Sequence, residues 1–90
     1  MNTVQILRGL ADTTRLSVVR ELAKQPNEVA CSEIVNSCAL ALKLSQPTMS
    51  HHFAKLVQSG VLSERKSGTE KYYSLNHASL ETIGIDATKL

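Results

Sequence analysis

Leu44-Ser45-Gln46-Pro47-Thr48-Met49-Ser50-His51-His52-Phe53-Ala54-Lys55-Leu56-Val57-Gln58-Ser59-Gly60 carries a complete helix signal. Met49, Phe53 and Leu56 recur at i, i+4 and i+7, which puts three large apolar side chains on one stripe. Ser45 is a favoured N-cap, and Pro47 falls in the first turn, where a missing N–H breaks no intrahelical bond. Gly60 suits the left-handed turn that ends a helix. Opposite the stripe lie Thr48, His51 and Lys55, with Ser50 and His52 on its flanks. No acidic residue occurs between Ser45 and Gly60, so this face is polar, rich in hydrogen-bond donors and free of negative charge.

On the C-terminal side the period changes. Val61 to Lys66 reads as a strand, Ser67-Gly68-Thr69-Glu70 as a turn and Lys71 to Leu75 as a second strand. Arg65, Lys66 and Lys71 sit near the tip of this hairpin. Tyr72 and Tyr73 point to opposite faces of their strand, so one packs under the hairpin and the other faces outward. Residues 78–90 hold Leu80, Ile83, Ala87 and Leu90 near helical spacing, with Gly84 as a weak point.

On the N-terminal side the spacing predicts three more helices. Val4, Ile6, Leu7 and Leu10 mark a short one that Asn2 or Thr3 can cap. Asp12 caps a second, with Leu16, Val19, Leu22 and Ala23 on one face and a stop at Pro26-Asn27. Cys31 or Ser32 can cap a third. Residues 38–44 alternate like a strand yet suit a helix by propensity. The expected fold is mainly α with a small β-hairpin, in the order ααααββα, within one domain over residues 1–90.

Composition narrows the function. The chain has 90 residues, 42% hydrophobic and 20% charged, an ordinary soluble composition with room for one small core. No apolar run approaches the ~18 residues of a membrane span. Met1-Asn2-Thr3-Val4-Gln5 does not begin a secretory signal, and the two cysteines read as reduced thiols, so a cytoplasmic protein without a membrane partner is expected. Aromatic residues are only 3%, too few for a platform that stacks single-stranded bases. Residues 43–71 carry five basic and two acidic side chains, a net +3, whereas the remainder is net −1. Positive charge is thus concentrated where the polar helix and the hairpin lie, as a polyanion would require.

That combination fits duplex DNA. A helix enters the major groove, where base edges present a unique donor and acceptor pattern. Gln46 can make a bidentate contact to adenine. Thr48, Ser50 and His51 reach base edges or phosphates, and Lys55, Arg65, Lys66 and Lys71 supply backbone charge.

The same residues carry a family resemblance. Leu10-Ala11-Asp12-Thr13-Thr14-Arg15-Leu16 is similar to the Leu-Ala-Asp-Pro-Thr-Arg-Leu opening of the ArsR (arsenical-resistance repressor) family. Residues 44–53 resemble its recognition helix. Gly60-Val61-Leu62, Gly68 and Tyr72-Tyr73-Ser74-Leu75 resemble its wing. The resemblance spans residues 4–76. It implies a winged helix-turn-helix homodimer that represses promoters at a near-palindromic operator and releases DNA on sensing a signal. It also implies dimerisation through residues 2–10 and 78–90, and base contacts from Gln46, Ser50 and His51. Pro47 stands where the family commonly has a small polar residue. Ala30-Cys31-Ser32 replaces the family's Cys-x-Cys metal motif, and Asn76-His77-Ala78 does not reproduce its Asp-x-His pattern. The segment 35–44 is also about four residues longer than the usual spacing. No metal site or cofactor is therefore expected, and the effector is left unspecified.

The same residues bear on other functions. Cys31 and Cys38 are packing residues or, as a minority reading, a thiol sensor. If one helix holds both, they lie ~10 Å apart, too far for a bridge. His51 and His52 diverge by ~100° and do not share a metal easily. His77 and Glu81, at i and i+4, read as an exposed pair. Arg15 reads as a structural or helix-surface charge rather than a DNA contact. Ser50 and His51 diverge too far for a catalytic pair, and neither a Gly-rich phosphate loop nor a Gly-x-Ser-x-Gly elbow occurs, so an enzyme is not expected. A protein-docking module is the alternative; a neutral or acidic recognition face would mark it, and this face is basic.

Overall fold

A computed structural model describes residues 2–90, so Met1, the first residue of the expected domain, lies outside the described residues. The elements run α1 (Thr3–Leu10), α2 (Thr13–Ala23), β1 (Val29–Ala30), α3 (Cys31–Leu42), α4 (Gln46–Gln58), β2 (Leu62–Ser67), β3 (Glu70–Leu75), α5 (His77–Thr82) and a 3-10 turn, Ala87–Lys89.

The helix starts follow local chemistry. The Asn2 side chain accepts from the Gln5 N–H at 2.8 Å, and Gln5 reaches back to the Asn2 N–H, a capping box. The Asp12 carboxylate accepts from the Arg15 N–H at 2.9 Å, and Ser45 Oγ from the Thr48 N–H at 3.3 Å. Cys31 is already helical at the start of α3, and Ala30, in the cap position, offers no side-chain bond, so neither Cys31 nor Ser32 is the cap. At the other end, helical propensity prevails over strand-like alternation. The helix runs to Leu42, Leu40 is left 82% exposed, and Lys43 turns left-handed (φ 57°) to start the short connection into α4.

The sheet departs from the expected hairpin. β1 adds a third antiparallel strand, giving the order β1-β3-β2, with Val29 opposite Tyr73 and Ala30 opposite Tyr72. In the hairpin Leu62 pairs with Leu75 and Ser67 with Glu70, so the turn is only Gly68-Thr69, with Gly68 at φ 61°. The observed order is therefore α, α, β, α, α, β, β, α rather than ααααββα, because a two-residue strand has too little periodicity to read.

One core joins all elements. Ile6, Val18, Val19, Met49, Phe53, Leu56, Val61 and Leu80 are essentially inaccessible to solvent. Each such burial stabilises the fold by roughly 1.5–3 kcal/mol. Phe53 stacks on Tyr73 with centroids 5.0 Å apart, which fixes the polar helix to the sheet.

Residues 78–90 do not form one helix. α5 stops at Thr82, Gly84 takes φ 77°, and Asp86 caps a separate 3-10 turn by accepting from the Thr88 N–H. Glycine at that position ends the helix that the apolar spacing suggested.

Candidate nucleic-acid interface

The α4 stripe divides the helix cleanly. Met49, Phe53 and Leu56 are buried, while Gln46, Pro47, Thr48, Ser50, His51 and Lys55 are exposed. Thr48 Oγ1 accepts from Ser45 Oγ at 2.9 Å, which leaves its own hydroxyl hydrogen available. His52 is three-quarters or more buried, with Nδ1 3.5 Å from the Arg15 guanidinium and 3.9 Å from the Asp12 carboxylate. It belongs to the scaffold, and His51 to the open face.

Arg15 is structural. Its Nε donates to the Gly9 carbonyl at 2.8 Å and its Nη2 to the Arg8 carbonyl at 3.3 Å. These bonds tie α2 to the last carbonyls of α1, of which that of Arg8 also accepts the Ala11 N–H. Asp12, below the ordinary carboxylate range because the Arg15 backbone N–H binds its charged form, adds a fixed negative charge beside this group.

The hairpin cations differ from one another. Lys66 and Lys71 stand directly opposite across the strands, an unfavourable juxtaposition of like charges. Lys71 is partly compensated by Glu64 at 3.6 Å. Lys66 has no carboxylate partner among the described residues. Arg65 is engaged elsewhere: its Nε lies 2.9 and 3.0 Å from the two Glu28 carboxylate oxygens, and its guanidinium covers the Tyr72 ring at 4.7 Å. Tyr72 is thus the outward-facing tyrosine and Tyr73 the packed one. Lys55 is also set apart, about 13 Å along α4 from Gln46 and beside Arg8 and Arg15 of the first two helices. Sequence reasoning missed Glu28, which is 37 residues from its partner, and the cluster around Lys55.

Both cysteines are free and lie on one helix, seven residues apart, so they do not bridge. Burial pushes both thiols above their ordinary pKa. Tyr73, beside Cys31, is pushed up to about 12, mainly by burial. Among the described residues no cluster of three His, Cys, Asp or Glu side chains has metal-holding geometry, and no helix is long and apolar enough to cross a membrane.

Known proteins share this fold. A helix-turn-helix domain family model matches residues 10–65. The arsenical resistance operon repressor of Staphylococcus aureus is 38% identical over 82 residues, covering 87% of this chain and 69% of that protein. The crystal structure of the transcriptional repressor PagR of Bacillus anthracis is 34% identical with a TM-score of 0.66, covering 89% of this chain and 85% of PagR. The homodimeric winged helix-turn-helix DNA-binding domain of a possible ArsR-family regulator from Mycobacterium bovis is 25% identical with a TM-score of 0.67, covering 89% and 68%.

Proposed function

The chain belongs to the ArsR family of winged helix-turn-helix transcriptional regulators, and from that membership we propose that it is a cytoplasmic, homodimeric repressor of a near-palindromic operator. The observation that carries this reading is the acid-free exposed face of α4 beside a hairpin whose Lys66 has no carboxylate partner among the described residues. Gln46, Ser50 and His51 read base edges in the major groove. Thr48, Lys66 and Lys71 engage the phosphate backbone, and Arg65 contributes less because Glu28 holds it. The dimer face is assigned to α1 and to residues 78–90. Val4 and Leu7, one turn apart on α1, are 55% and 49% exposed, an apolar pair that a second copy would cover. The homodimeric Mycobacterium bovis domain supports dimerisation as such. Two such heads would address major grooves ~34 Å apart, and repression needs only occlusion of the promoter. The raised thiols give no support to Cys31 or Cys38 as a sensor.

The test is selection of bound duplexes from a fragmented genomic library, followed by affinity measurements across salt. A dyad-symmetric site bound ~10³-fold or more tighter than random DNA is the expected result. Uniform weak binding would instead favour the docking-module reading.

A further inference from the structure

A cleft of about 280 Å³ opens between α1 and the C-terminal half of α4, lined by Gln5, Arg8, Gly9, Arg15, Lys55, Gln58 and Ser59. Three of these side chains are cationic, two are amides, and none is acidic. Arg8, Arg15 and Lys55 have no carboxylate within 4 Å among the described residues, because all four ion pairs involve other groups. The nearest countercharge is Asp12, which caps α2, faces His52 and does not line the cleft.

The cleft is also held in shape. Arg15 is fixed by the Gly9 and Arg8 carbonyls, which leaves one N–H on each terminal guanidinium nitrogen for another acceptor. Gly9 lies so close to Ser59 that a Cβ there would overlap the Ser59 side chain, so α1 and α4 are in direct contact at the cleft floor. Ser59 Oγ donates to the Leu56 carbonyl, and no hydrogen bond engages the Gln58 amide among the described residues.

We propose that this cleft is a phosphate-binding site formed by Arg8, Arg15 and Lys55, with amide donation from Gln5 and Gln58. Converging cations with amide donors and without a carboxylate suit an oxyanion that carries more than one acceptor oxygen. Two sources supply that chemistry: a backbone phosphate of bound DNA, or a free phosphate group. The first source rests on the DNA-binding function proposed above, whereas the second stands without it. A phosphate held here ties α1 to the helix that carries Gln46 and His51.

The experiment compares the intact chain with the double variant Arg8→Gln/Lys55→Gln, and uses Lys89→Gln as a control for lost charge away from the cleft. Arg15 is left in place because it closes the end of α1. In one arm, inorganic phosphate is titrated at constant ionic strength while the Gln5 and Gln58 side-chain amides are followed by NMR. Saturable shifts that the double variant loses and the control keeps identify a free-phosphate site. In the other arm, duplex affinity is measured across salt. A slope reduced by about one unit in the double variant but unchanged in the control identifies a DNA phosphate. Neither response in a folded double variant overturns the proposal. If the intact chain binds no duplex, the DNA-binding function fails, and the phosphate arm alone decides the site.

Discussion

Arg65, on one outer strand, and Glu28, just before the other, meet over the central strand β3, with Arg65 Nε within 3.0 Å of both carboxylate oxygens. The pair joins the loop before β1 to β2, and it neutralises one of the hairpin's cations. Glu28→Gln is expected to tighten duplex binding and steepen its salt dependence, whereas Arg65→Gln weakens binding less than Lys66→Gln. Fluorescence anisotropy across a salt series measures all three. An Arg65→Gln loss equal to that of Lys66→Gln would mean that Glu28 releases its partner on binding.

The α4 face is tested by Gln46→Ala and His51→Ala. Each should weaken binding to the preferred site by ~1–3 kcal/mol and leave random-duplex binding nearly unchanged, because base contacts carry the discrimination. Unchanged affinity for the preferred site in both variants contradicts the assignment.

Gly9→Ala should destabilise the fold by ~1–3 kcal/mol, since its new methyl overlaps Ser59 Oγ and Cβ. Ser59→Gly removes both atoms, so the double variant Gly9→Ala/Ser59→Gly should lose less than the sum of the single effects. Urea denaturation of the four proteins measures this coupling.

Asp12 gives a pH dependence of definite sign. Its carboxyl titrates below its ordinary value, chiefly because the charged form accepts the Arg15 backbone N–H. The native state therefore releases this proton at lower pH than the unfolded chain does. Its stabilisation is present above about pH 4 and is lost as pH falls through the native value. Asp12→Asn keeps a capping oxygen without the charge, so the gap in urea midpoint between the parent and this variant should close between pH 5 and pH 2.5. A gap independent of pH would remove the charge from the account.

Burial keeps both thiols protonated at neutral pH, with Cys38 the less accessible. Alkylation at pH 8 should be slower at both than for a free cysteine, and slower at Cys38 than at Cys31. Cys31→Ser/Cys38→Ser should bind duplex DNA with the parent's affinity under oxidant and under reductant. A difference between those conditions that the serines abolish would revive thiol sensing.

The legible parts of the fold were those with local causes. The α4 stripe, its Ser45 cap and the Gly60 turn follow from neighbours within a few residues, and each has its predicted place. β1 escaped because its pairing depends on Tyr72 and Tyr73, more than forty residues away. Glu28 escaped for the same reason. Val4 and Leu7 share a helix with Ile6 and Leu10, but only the latter two are buried within the chain. Apolar spacing marks a helix, and it does not distinguish a face that packs inward from one left exposed.

Met49, Phe53 and Leu56 bind α4 into the core, while Gln46, Ser50 and His51 contribute nothing to it. Substitutions at the three exposed positions can therefore accumulate under little constraint from folding. On the proposed DNA-reading role of these positions, a lineage of such chains would change which promoters it governs by drift at a few surface codons, with the architecture beneath left intact.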